Sequence, residues 1–86
     1  MDHMTQKDAI ELLETREKFD LSANEFQIVA ILRTFPKHSV RGRLDEWERM
    51  TGRSSRVVKK TMKTLANKGV IEKETLPGGK FFVKLV

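Results

Sequence analysis

Residues 51–71 read TGRSSRVVKKTMKTLANKGVI, and the spacing of apolar and basic side chains within them decides the fold. Val58, Thr61, Met62 and Leu65 recur at helical spacing, while Arg53, Arg56, Lys59, Lys60, Lys63 and Lys68 fall among them without one Asp or Glu. At about 100° per residue, with Val58 at zero, Met62 lies at about 40°, Leu65 at about 340° and Thr61 at about 300°, whereas Lys59, Lys63, Arg56 and Lys60 lie between about 100° and 200°. One face of this helix is for a core and the opposite face is basic. Packing does not ask for a single sign of charge, and like charges four apart, Arg56 with Lys60 and Lys59 with Lys63, cost a few tenths of a kcal/mol. The arrangement points to an anionic partner rather than to a merely solvated face.

The flanks place this helix in an order of elements. Ser54 or Ser55 caps it, and Gly69 suits the left-handed turn that closes it after Lys68. Upstream, Leu44, Trp47 and Met50 mark one face of a short helix over 43–50, ended by Thr51-Gly52. Pro36 to Gly42 reads as a connection in which Ser39-Val40-Arg41 forms a minimal strand. Ser22-Ala23-Asn24-Glu25 is a capping box, and Phe26, Val29, Ala30, Ile31 and Leu32 continue its helix until Phe35, where Pro36 stops it. A first helix over about 6–18 starts from Thr5 and Asp8, and its Ile10 and Leu13 are expected to cover the core. Downstream, Val70 to Leu76 and Lys80 to Val86 flank the turn Pro77-Gly78-Gly79 as two strands. One of Phe81 and Phe82 must then point away from the core, where it can stack on a base or seat a partner.

Eighty-six residues make a single core, and 38% hydrophobic with 34% charged residues suits a globular chain. The net charge of +5 hides an asymmetry. Up to Leu32 the chain carries three basic and seven acidic residues, and beyond it fourteen basic and five acidic, a split of −4 against +9. Such polarity orients a molecule in the field of a polyanion with its C-terminal two-thirds forward. A membrane surface fits less well, because the apolar stripe of the basic helix is used by the core. No cysteine is present, and no apolar run approaches the length of a membrane span. A cytoplasmic protein is expected. Met1 to Met4, with its His-Met pair, reads as a cloning remnant, so that 1–21 comprise this remnant and an accessory helix, and 22–86 the domain proper.

From Ser22 to Val86 the order of helix, short extended piece, helix, tight turn, basic helix and hairpin resembles the winged helix-turn-helix domain. The resemblance is carried by Leu44-Asp45-Glu46-Trp47, Met50-Thr51-Gly52-Arg53-Ser54, Val57-Val58, Met62-Lys63-Thr64-Leu65 and Lys68-Gly69-Val70-Ile71. It is strongest to MarR- and GntR-type repressors and to the winged-helix domains of phage and plasmid replication initiators. The implied fold is mainly α with a C-terminal β-hairpin, a three-helix core plus an extra N-terminal helix. The implied function is sequence-specific binding of double-stranded DNA, by a transcriptional regulator or a replication-initiator module. In such domains the second helix of the motif enters the major groove and the wing contacts the neighbouring backbone. Carried over, Ser54, Ser55, Arg56, Lys59, Lys60 and Lys63 face DNA, Arg53 and Lys80 reach phosphates, and Lys73 assists. Arg56, in the first turn, is the candidate for reading guanine. Six phosphate contacts imply that log affinity falls with log salt at a slope of about −5. The sequence departs from the repressors in two ways: the wing tip carries no basic residue, and no dimerising helix follows Val86. A homodimer would have to use the acidic first helix, unless the chain is a module of a larger parent protein.

Other chemistry finds little support. His38 sits in a Lys-rich connection without a nearby carboxylate, and Asp45, Glu46 and Glu48 suit the start of a helix better than a metal or an acid-base pair. Pro77-Gly78-Gly79 lacks the Lys-Ser/Thr and the helix of a phosphate-cradling loop. The expectation is a protein with no catalytic residues, metal or cofactor. The rival reading is a protein-interaction winged helix that docks a partner through the hairpin edge and Phe81 or Phe82.

Overall fold

A computed structural model of the protein describes residues 6–86. The remnant at Met1 to Met4, with His3, and the Thr5 helix start lie outside the described residues. Four helices, α1 (Gln6–Phe19), α2 (Ala23–Arg33), α3 (Leu44–Thr51) and α4 (Ser55–Asn67), are joined to three strands, β1 (Ser39–Arg43), β2 (Ile71–Thr75) and β3 (Lys80–Leu85). The strands form one antiparallel sheet in the order β1-β3-β2. This is the winged helix-turn-helix architecture, with α3 and α4 as the paired helices and β2-β3 as the wing.

Local chemistry accounts for most boundaries. The Ser22 capping box closes in both directions, with the Glu25 N–H donating to Ser22 Oγ over 3.3 Å and the Ser22 N–H donating to Glu25 Oε1 over 2.8 Å. α2 stops at Arg33 rather than Phe35, because the N–H groups of Thr34 and Phe35 already turn back to Ile31 and Leu32 before Pro36. α4 ends as expected: Gly69 takes φ +75°, and the Val70 N–H reaches back to the Leu65 carbonyl over 3.0 Å.

The core lies between the helices and the inner face of the sheet. Val58, Met62 and Leu65 of α4 meet Trp47 of α3 and Val29 and Leu32 of α2, all at most 1% exposed. Each such side chain contributes about 1.5–3 kcal/mol by leaving water. Leu12 of α1 joins this core, but Ile10 and Leu13 are 50% and 54% exposed, against the expectation that they cover it. The reason is geometric: on a helix, Ile10 and Leu13 lie about 160° and 100° from Leu12, so a helix that seats Leu12 turns them outward.

Two features exceed the sequence reading. β1 runs two residues further than Ser39-Val40-Arg41 and pairs along its whole length with β3, from Ser39 opposite Lys84 to Arg43 opposite Lys80. The hairpin is therefore a three-stranded sheet. The connection before β1 is a tight turn in which Lys37 and His38 both take positive φ, 56° and 49°, while the Ser39 N–H donates to the Pro36 carbonyl. Positive φ at both central residues is what a type I′ turn requires, and it favours Asn-Gly. Replacing Lys37-His38 by Asn-Gly is expected to stabilise the fold by about 1–2 kcal/mol, measured as a rise in Tm.

Candidate nucleic-acid interface

The connection between α3 and α4 is built from one threonine and one glycine. Thr51, 7% exposed, donates its hydroxyl to the Trp47 carbonyl over 2.7 Å and accepts the Arg53 N–H over 3.2 Å. The Gly52 N–H closes onto the Glu48 carbonyl at 2.8 Å, and its φ of +69° then turns the chain out of α3. From α2, the Gln27 side-chain amide donates to the Thr51 carbonyl over 2.7 Å. Two helices, α2 and α3, thus hold the turn that aims α4.

The start of α4 is capped twice. Ser54 Oγ accepts the Val57 N–H over 3.4 Å, and the Glu48 carboxylate of α3 accepts the Ser55 N–H over 3.1 Å. Sequence reasoning assigned Glu48 to the dipole of its own helix. Its bond to α4 depends on the angle between the two helices, for which no sequence signal exists.

Arg53, Arg56, Lys59, Lys60 and Lys63 are all exposed. Among the described residues none of the five takes part in an ion pair or donates a side-chain hydrogen bond. With exposed Ser54 and half-buried Ser55 they occupy the turn and the outer face of α4. Lys68, the last cation of the run, behaves differently. Its ammonium lies 3.1 Å from both carboxylate oxygens of Glu25 and 3.0 Å from the Asp20 carbonyl, pinning the end of α4 to the start of α2. The helical wheel already separates it, at about 280° beside Thr61 and outside the basic arc. Glu25 is 5% exposed. Burial pushes its carboxyl up, yet the hydrogen bonds from Ser22 and the Lys68 ammonium outweigh that and hold it below its ordinary value of 4.5.

The two wing cations lie on opposite sides of the sheet. Lys80 is exposed on the outer side of the sheet, opposite Arg43. Lys73 pairs with the inward-facing Val83, so it lies on the other side, with its ammonium 5.2 Å from the ring centre of Phe81. Phe81 is the core member of its pair at 8% exposure, and Phe82 is the one turned outward. The tip Pro77-Gly78-Gly79 is exposed.

No family model matches the chain, and no curated protein matches it. Among solved structures the chain is similar to AbsC, a MarR family transcriptional regulator from Streptomyces coelicolor, with a TM-score of 0.67 and 14% identity. The superposition covers 100% of this chain and 68% of AbsC. The likeness is one of fold.

Proposed function

We propose that the chain binds double-stranded DNA with sequence preference, as the DNA-binding unit of a transcription regulator, by laying the basic face of α4 in the major groove. The observation that carries this is the set of five exposed cations at the head and along one face of α4, with no internal partner among the described residues. A major groove about 12 Å wide admits one helix. Arg56, in the first turn, is the side chain with the reach and the forked donors to read guanine O6 and N7. Arg53, Lys59, Lys60 and Lys63 neutralise phosphates and fix the register. The Ser54 hydroxyl is engaged as a cap, which leaves Ser55 as the serine for a base or phosphate contact. The fold shared with a transcriptional regulator supports the same reading. The helix rather than the wing carries the binding, because the tip Pro77-Gly78-Gly79 offers no cation.

Selection of duplexes bound from a random pool tests it. Enrichment of one motif is expected, and its symmetry reports whether two copies bind together; a pool that stays random after selection overturns sequence preference.

Glu48 tunes the same face. Its carboxylate occupies the start of α4, where a phosphate would otherwise meet free N–H groups and the positive end of the helix. Glu48→Gln is expected to lower stability by about 0.5–1 kcal/mol and to raise affinity for random duplex severalfold. Paired thermal melts and anisotropy titrations check both signs.

A further inference from the structure

The sheet has an outer face that the proposed α4 interface does not use. On this face lie Arg41 and Arg43 of β1, Lys80, Phe82 and Lys84 of β3, and Glu72 and Glu74 of β2. The charged side chains are all exposed, and Phe82 is half-buried among them. Among the described residues these cations form no ion pair. The sheet order β1-β3-β2 sorts the charges. The four cations run along the edge strand and the central strand, and the two carboxylates line the opposite edge.

Phe82 sits in the middle of the basic track. Arg41 is directly opposite it across the ladder, with its guanidinium 6.0 Å from the ring centre, at the outer limit of a cation–π contact. Lys80 and Lys84 lie one step to either side on the same strand, about 6.7 Å away along the pleat. That repeat suits the phosphates of an extended strand. A duplex keeps the faces of its bases stacked, so it could use the cations but not the ring; an unpaired strand uses both.

From this arrangement we infer a second nucleic-acid site: the outer face of the sheet binds single-stranded nucleic acid, with a base stacked on Phe82 and phosphates held by Arg41, Arg43, Lys80 and Lys84. The carboxylates of Glu72 and Glu74 confine the strand to the β1-β3 side. This site does not depend on the reading of α4, and its ligand differs from the duplex proposed there.

The test is an anisotropy titration of the full chain, at low salt, with a labelled 20-nucleotide oligothymidylate and separately with a random duplex. The unmodified chain is expected to bind the oligothymidylate. Phe82→Leu, which keeps apolar bulk but removes the π-face, and Phe82→Ala should weaken that binding roughly 10-fold while duplex affinity stays within about twofold. Arg41→Glu with Lys84→Glu should weaken it further, and Lys59→Glu with Lys63→Glu should leave it largely intact. Circular dichroism confirms that each variant is folded. The inference is overturned if oligothymidylate does not bind, if neither Phe82 variant changes its affinity, or if the α4 reversals remove it as fully as the sheet reversals. Equal loss of duplex and single strand on Arg41→Glu with Lys84→Glu also overturns it, since the face would then be tracking duplex phosphates.

Discussion

Reversing two charges on α4, Lys59→Glu with Lys63→Glu, is expected to lower duplex affinity about 100-fold or more at moderate salt while leaving the fold intact. Both side chains are exposed and bond nothing within the described structure, so their effect on stability should stay within about 0.5 kcal/mol. The salt response identifies the mechanism. The four phosphate contacts assigned to Arg53, Lys59, Lys60 and Lys63 give a slope of log affinity against log salt of about −3.6. This is shallower than the six-contact expectation, because Arg56 is assigned to a base edge and Lys80 lies on the sheet. The double variant forfeits two contacts and sets two carboxylates against the backbone, so its slope should flatten to about −2 or less. Unchanged affinity and slope in the variant would show that duplex binding does not run through α4.

Lys68→Ala should have the opposite signature, a large loss of stability with little change in the intrinsic affinity for duplex. Removing the ammonium leaves the Glu25 carboxylate, 5% exposed, with only its Ser22 hydrogen bonds. Breaking a buried pair in this way costs about 3 kcal/mol, the low end of the usual range, since the Lys68 side chain is 30% exposed and water enters from its side. In a domain of this size that lowers Tm by roughly 15 °C. Duplex affinity measured well below the new Tm should match that of the unmodified chain. If Lys68 instead served as a phosphate contact, its loss would weaken binding and flatten the salt slope with little change in Tm.

The same pair gives acid sensitivity a sign. The Glu25 pKa is lowered in the folded state, so its contribution is fully present above its ordinary value of 4.5 and disappears as pH falls through the folded value. Glu25→Gln should therefore be less stable than the unmodified chain at neutral pH, with a gap that narrows below about pH 4.5. Chemical denaturation across pH 3–7 measures it.

The elements that were legible in the sequence are those decided within a few residues. Ser22 with Glu25, Gly52 and Gly69 each act through their own backbone and the next turn, so those helix ends followed from residue type, whereas α2 ends at Arg33, ahead of Pro36. Wing pairing was also legible, from Phe81 and Val83 alternating with Phe82 and Lys84. The extension of β1 to Arg43 was not, because Gly42 and Arg43 carry no strand preference and gain their order only by pairing with Phe81 and Lys80. The exposure of Ile10 and Leu13 was equally hidden. Their spacing permits a buried stripe, and only the docking of Leu12 against the other helices chose which side of α1 faces inward.

By itself, the sequence determined that α4 has one apolar and one basic face, since 100° per residue is a property of the helix and needs no neighbour. It also determined that a glycine-bearing turn precedes that helix and a hairpin follows it. Tertiary structure alone decided what engages the other cations: Lys68, already outside the basic arc by periodicity, is bound by a glutamate 43 positions away, and Arg41 is carried beside Phe82 by strand pairing. Periodicity places a charge on a face, but its partner is fixed by how distant segments pack, and that packing separates the cations of α4 free for phosphate from the one that holds the domain together.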